Sequence, residues 1–152
     1  MTRITRSASL AGLALLALAA APAAKAGSVT VTVDGPMNFG TVIAPPEGGT
    51  VQVSTAGAVT GPGSFLFKGF PAAGQFTASG VNNALVTITF SGSSVLTGPG
   101  SPMTIDGFTH NAGASPTLDA SGKLVFRVGA RLTVNPGQQG GTYTGTFTVT
   151  VG

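Results

Sequence analysis

The stretch Thr142-Tyr143-Thr144-Gly145-Thr146-Phe147-Thr148-Val149-Thr150-Val151 decides the fold class. Threonine holds every even position, while Tyr143, Gly145, Phe147, Val149 and Val151 hold the odd ones. In an extended backbone successive side chains point to opposite faces, so one face is dry and the other carries hydroxyls. A helix would scatter both sets around its circumference. The segment therefore reads as a final antiparallel strand.

Upstream, Leu124, Phe126 and Val128, then Leu132 and Val134, keep the same period of two. Gly129 interrupts them as a bulge or a point of close backbone approach. Asn135-Pro136-Gly137 separates the two strands, with Pro where a turn wants its fixed φ and Gly where a type II turn has positive φ. At the other end Val29, Val31 and Val33 alternate with Ser28, Thr30 and Thr32, and Asp34-Gly35-Pro36 breaks the run. Met37, Phe39 and the residues to Ile43 resume it. Pro45-Pro46-Glu47-Gly48-Gly49 is a loop, followed by Val51 and Val53 alternating with Gln52 and Ser54. Short strands are expected over residues 64–67 and 75–79. Leu85, Val86, Ile88 and Phe90 mark a central strand after an Asn82-Asn83 turn, and Met103, Ile105 and Phe108 lie beside an Asp106-Gly107 turn. After residue 26 no apolar 3.6-residue period persists for three turns. Eight or nine short strands with turn signals between them predict one antiparallel β-sandwich over residues 27–152, a barrel being the lesser option.

The N-terminus follows different rules. Arg3 and Arg6 precede an apolar run from Leu10 through Ala21, and Ala24-Lys25-Ala26 is a small-x-small site. These features predict a cleavable secretory signal helix over residues 1–26. Its apolar core is about a dozen residues, short of the ~20 needed for a stable membrane span. The mature chain has no second such run, so no membrane span is expected in it. Its destination is the periplasm, the cell surface or the exterior.

Removing residues 1–26 changes the electrostatics. The whole chain carries +3 and has seven cations, of which Arg3, Arg6 and Lys25 leave with the signal. Lys68, Lys123, Arg127 and Arg131 then balance Asp34, Glu47, Asp106 and Asp119, for a net charge of zero. Four scattered cations do not make a phosphate-binding stripe, so nucleic acid is excluded as a partner. The chain of 152 residues less these 26 leaves 126, enough for one domain with its own core. Charged residues are 7% of the chain, against roughly 25% in an ordinary soluble domain. So neutral a surface gives little colloidal repulsion and suits a subunit packed against others. Cysteine is absent, which removes disulfides, thiol nucleophiles and thiolate metal sites together.

Catalytic chemistry has few residues to work with. A triad can be written from the single histidine, His110, with Asp106 or Asp119 and a serine, but no Gly-x-Ser-x-Gly elbow exposes that serine. A glycosidase needs two placed carboxylates; here Asp34 and Asp106 precede glycines and Glu47 sits in a Pro/Gly loop. One His, no Cys and scattered acids predict neither a zinc nor a calcium site. Gly61-Pro62-Gly63 and Gly137-Gln138-Gln139-Gly140-Gly141 lack the Lys and following helix of a phosphate loop. Threonine rows that order water at ice need matching rows on adjacent strands, and the sequence displays one such strand. No catalytic, cofactor or metal site is expected, and the chain is read as a non-enzyme.

Four stretches carry a family resemblance: Met37-Asn38-Phe39-Gly40-Thr41-Val42-Ile43, Gly74-Gln75-Phe76-Thr77-Ala78-Ser79-Gly80, Val128-Gly129-Ala130-Arg131-Leu132-Thr133-Val134, and the Gly141-Thr142-Tyr143-Thr144-Gly145 step into the last strand. In their order and spacing the chain resembles the bacterial domain of unknown function 4402 family over essentially all of the mature region. More distantly it is similar to spore coat protein U domains and to subunits of archaic chaperone–usher pili. The resemblance implies an all-β, antiparallel, immunoglobulin-like β-sandwich with no established activity. In the pilus subunits an incomplete sandwich is completed by a strand from a neighbour.

Two functions follow as expectations. The first is an exported, non-catalytic structural protein of the cell envelope or surface, a pilus- or coat-like subunit joined to itself or to other envelope proteins by strand addition. Val29, Val31 and Val33 are the candidate strand-addition residues, the competing reading being that residues 28–33 are the domain's own first strand. The second is a monomeric periplasmic or secreted binding module. No Trp and one Tyr count against a sugar platform.

Overall fold

The computed structural model describes residues 5–11, 14–20, 28–91 and 94–152. Its strands are β1 (Thr5–Ala11), β2 (Ala14–Ala20), β3 (Thr30–Gly35), β4 (Thr41–Ile43), β5 (Gly49–Val53), β6 (Val59–Thr60), β7 (Leu66–Lys68), β8 (Gly74–Ser79), β9 (Ile88–Phe90), β10 (Ser94–Thr97), β11 (Met103–His110), β12 (Lys123–Val134), β13 (Thr144–Gly145) and β14 (Thr148–Val151). The described residues contain no helix, and the described pairings are antiparallel.

The architecture grows from β12, the longest strand. Its even residues Phe126, Val128, Ala130, Leu132 and Val134 are buried without a break in phase, as period-two patterning requires. One edge of β12 pairs with β11. The other edge is shared: residues 123–128 pair with β8 and residues 130–134 with β5. Gly129 sits where the two partners meet, and a Cβ there would lie 2.4 Å from the Val53 carbonyl oxygen. Of the two expected roles for this glycine, close approach is the one it plays. The bulge falls on β11 instead, where Gly107 (φ 60°) and Phe108 oppose a single residue of β12. Asp106-Gly107 is therefore a bulge inside a continuing strand, where the sequence suggested a turn.

Around this spine the large sheet runs β13-β10-β11-β12-β5-β6, with β8 and then β3 attached to the N-terminal half of β12. A small ribbon, β4 with β7, stands apart from it. The second sheet runs β2-β1-β14-β9. The two sheets share one core. Phe147, in the second sheet's approach to β14, stacks on Phe108 at 5.0 Å and meets Phe76 edge-on at 6.3 Å; Phe76 in turn stacks on Phe126 at 5.5 Å. Phe90 of β9 stacks on Phe108 at 5.6 Å. Offset and edge-to-face arrangements of this kind add to area burial, and truncating such a ring to Ala costs about 3–5 kcal/mol.

The turn chemistry holds locally. Asn135-Pro136-Gly137 closes with the Gln138 N–H donating to the Asn135 carbonyl at 3.2 Å and Gly137 at φ 63°, as a type II turn demands. Asn83 takes φ 58° in the expected Asn-Asn turn. Three expectations change. The last strand divides: β13 pairs with β10 in the large sheet and β14 with β9 in the other, so the chain crosses between layers at Thr146-Phe147. The strand expected around Leu85 to Phe90 is central to neither sheet; Leu85 is 70% exposed and makes an isolated bridge to Thr117, while Ile88–Phe90 pairs with β14 at the sheet's edge. At the N-terminus, where a signal helix is expected, the described residues form the β1–β2 hairpin, and residues 1–4, 12–13 and 21–27 lie outside the described set. An apolar helix needs lipid or an apolar surface to cover its whole circumference. A hairpin instead satisfies its backbone on itself and on an available sheet edge.

The Gly129 seam makes a direct prediction. Gly129→Val should push β5 from β12 and lower stability by about 1–3 kcal/mol, a fall of several degrees in Tm with the fold retained. Thermal unfolding of the two chains followed by circular dichroism measures it, and an unchanged Tm would contradict the close-approach role.

Candidate functional site: the outer edge of the last strand

The described residues hold no cluster of three or more His, Asp or Glu side chains suited to a metal. Those singled out by sequence are dispersed into local tasks. Half-buried His110 ends β11 and lies beside the Phe90 ring, its Nδ1 accepting from the Ala112 N–H at 3.2 Å. Asp106 pairs across the ladder with Arg131 at 3.3 Å, an exposed ion pair. The Asp34 carboxylate accepts from the Thr77 hydroxyl beside the bulge in β3. Asp119 closes its own turn, with Oδ1 accepting from the Ser121 N–H and hydroxyl and the Lys123 N–H at 2.7–2.9 Å. Register also sets Thr104, Thr133 and Thr50 in one exposed row, but the next row in that direction is Asp106, Arg131 and Gln52, so the threonine array does not extend.

The Asp119 carboxyl is held below its ordinary value of 3.8, first by the Ser121 hydroxyl and then by the Lys123 and Ser121 N–H groups. A depressed carboxyl contributes stability above its unfolded pKa and loses it as pH falls through the folded one. The Ser121 and Lys123 amide resonances should therefore titrate together with a midpoint below 3.8. A midpoint above that value would refute the assignment.

One cleft has an apolar lining. About 310 Å³ in volume, it is walled by Val42, Ile43, Met103, Val134, Gln138 and Tyr143. The side-chain polar atoms of Tyr143 and Gln138 are engaged with one another and with neighbouring loops. The Tyr143 hydroxyl donates to the Gln139 carbonyl at 2.6 Å and accepts from Gln138 Nε2 at 2.7 Å and the Gly100 N–H at 3.0 Å, which saturates it. Gln138 also donates to the Ser101 carbonyl and accepts from Asn135 Nδ2, each at 2.8 Å. This network ties the loop around residues 98–102 to the loop at 135–141. Gly145 belongs to the same construction: a Cβ there would stand 2.2 Å from the Val95 carbonyl oxygen. Sequence reading passed over the network, although the Gly-x-Tyr-x-Gly spacing was its visible trace. Tyr143→Phe should cost about 0.5–1.5 kcal/mol by removing hydrogen bonds to half-buried and exposed partners. Denaturant unfolding measures this, and a loss within ±0.3 kcal/mol would mean that water replaces the hydroxyl.

β14 takes one of its partners from outside residues 28–152. Thr87 and Gly152 exchange both backbone hydrogen bonds, at 2.7 and 3.0 Å, and the Ser91 N–H donates to the Thr148 carbonyl at 3.0 Å. Antiparallel ladders alternate, so the N–H and C=O groups of residues 148, 150 and 152 face β9, and those of Val149 and Val151 face the opposite edge. Among the described residues of 28–152 no strand pairs on that opposite edge. Its partner is β1, with Arg6 opposite Val149 and Ser7 opposite Thr148. The side chains of Phe147, Val149 and Val151 are meanwhile buried in the core. What β14 offers outward is a strand-length row of backbone groups fixed by a rigid interior, the arrangement that β-augmentation uses.

The sequence-predicted strand-addition residues lie elsewhere. Val29 and Val31 are buried and Val33 partly so, and β3 pairs with β8 from Thr30 opposite Ser79 to Gly35 opposite Gln75. In this structure residues 30–35 are the domain's own first strand.

No curated protein and no solved structure matches the chain. Residues 28–152 match the family described as Domain of unknown function (DUF4402), a span that begins beside β3 and takes in every strand of the sandwich from there to β14. The chain belongs to the DUF4402 family.

Proposed function

We propose that this chain is an exported, non-catalytic structural protein of the cell envelope or surface that assembles by strand addition, with β14 as the acceptor. The observation that carries the reading is the outer edge of β14, which takes an antiparallel strand from outside residues 28–152. Two further features support it. A net charge of zero after loss of residues 1–26 leaves little repulsion between copies. Asp119 is spent on closing its own turn, and Asp106 and Arg131 on an exposed ion pair. Acceptance at β14 also asks less of the subunit than donation by Val29, Val31 and Val33, because withdrawing β3 would strip β8 of a partner and expose buried valines.

A second reading, a monomeric periplasmic or secreted binding module, draws on the cleft at Tyr143. With the Tyr143 and Gln138 side chains bonded to each other, that cleft offers a ligand much apolar wall from Val42, Ile43, Met103 and Val134.

Residues 27–152, purified and followed by light scattering and negative-stain electron microscopy over a concentration series, test the proposal. The expected outcome is growth of regular oligomers with concentration. A monomer at every concentration, whose Tm ignores peptides copying residues 27–39, would overturn assembly and leave the binding module.

A further inference from the structure

We propose that residues 5–20 are the built-in occupant of the β14 edge, so that the unprocessed chain is self-complemented there and loss of its leader opens the acceptor. This rests on the reading that residues 1–26 are removed. It adds that they hold the edge closed until then.

The backbone carries the argument. Residues 28–152 supply only β9 as a partner for β14, and a two-stranded sheet is marginal on its own. The β1–β2 hairpin brings that sheet to four strands. It is regular along its length, from Thr5 opposite Ala20 to Ala11 opposite Ala14. β1 takes the β14 edge, while β2 runs alongside β3 of the other sheet. The hairpin thus occupies the space between the last strand of the domain and its first. The register sets Arg6 and Ser7 of β1 opposite Val149 and Thr148 of β14, in an antiparallel ladder. The occupant that fits this edge is an extended strand running antiparallel to β14, and the chain carries one in cis. A tethered occupant outcompetes one in solution by effective concentration, so the precursor does not accept a second strand.

The alternating ladder supplies the test. The Val149 N–H points to β1 and the Thr150 N–H to β9. The full-length chain is prepared with a site-specific protease sequence placed within residues 21–27, and amide hydrogen exchange is followed residue by residue before and after cleavage. In the uncut chain both amides should be protected. After cleavage and dilution, Val149 should exchange about tenfold faster or more while Thr150 keeps its protection. Restoring a peptide of residues 3–12 should slow Val149 again, and a scrambled peptide should not. Val149 exchanging at an unprotected rate in the uncut chain, beside a protected Thr150, would overturn the proposal. If cleavage releases protection throughout the domain, the uncut comparison of these two amides still decides. The outcomes separate from those for assembly: a capped Val149 with a processed chain that stays monomeric keeps the cap and removes the fibre. Fibres from a processed chain whose Val149 was never capped do the reverse.

Discussion

The structure depends on one strand serving three partners. β12 pairs with β11 along one edge and hands the other edge from β8 to β5 at Gly129. Every buried even residue from Phe126 to Val134 keeps its phase through that handover, which is possible because the change of partner happens on the neighbours and not on β12. A side chain at 129 would meet the Val53 carbonyl, so the absence of a Cβ lets two strands end against the middle of a third. With that seam set, Phe126 and Phe76 lie stacked, and Phe147 and Phe108 complete the aromatic core that joins the layers.

How much of this could be read from the residues follows from the range of the physics. Period-two alternation is local, and it located β3, β5, β8, β12 and the buried set Val149, Val151, Phe126 and Leu132. Turn chemistry is local as well, so Asn135-Pro136-Gly137 behaved as its φ preferences require. Which sheet a strand joins is not local. The alternation of residues 142–151 is continuous, yet β13 and β14 belong to different layers, because the crossing at Phe147 is set by rings from β8 and β11. Asp106-Gly107 carries the same dipeptide signal whether the chain reverses or bulges, and only the continued pairing of Thr109 with Gly129 tells them apart. Short strands such as β6 and β10 carry too few residues to show a period. The Tyr143 network joins two segments far apart in sequence, so only its glycines left a mark. Val29, Val31 and Val33 have the right alternation for a strand, but alternation does not say which neighbour it pairs with; here β3 pairs with β8.

An unpaired edge is usually blunted by an inward charge, a Pro or a covering loop. The sequence around β14, Thr146-Phe147-Thr148-Val149-Thr150-Val151, contains none of these devices. Thr148 and Thr150 are half-buried and flank a ladder whose outward groups belong to Val149 and Val151. The rest of the chain shows the same economy of charge, with 7% charged residues and one ion pair among the described residues. A protein that met water alone on this edge would carry an aggregation hazard with nothing to restrain it. Where the edge is instead an interface, the lack of protection is what allows a strand to enter.

The cleft and the edge differ in what each would ask of a partner. A ligand entering the cleft at Tyr143 finds a hydroxyl and an amide that already satisfy one another, so a new polar bond to either displaces an existing one of similar strength. A strand arriving at β14 pairs donors and acceptors that residues 28–152 leave without a strand partner, and the net gain per bond is kept. Core residues behind β14 already fix its backbone, so little conformational entropy remains to be lost on that side. The same fixed geometry makes the edge selective. Because its outward groups repeat every second residue, an incoming chain in the wrong register places its side chains on the wrong face. That combination of unmet backbone bonds, a rigid floor and a two-residue repeat favours an extended polypeptide over a small molecule as the partner of this fold.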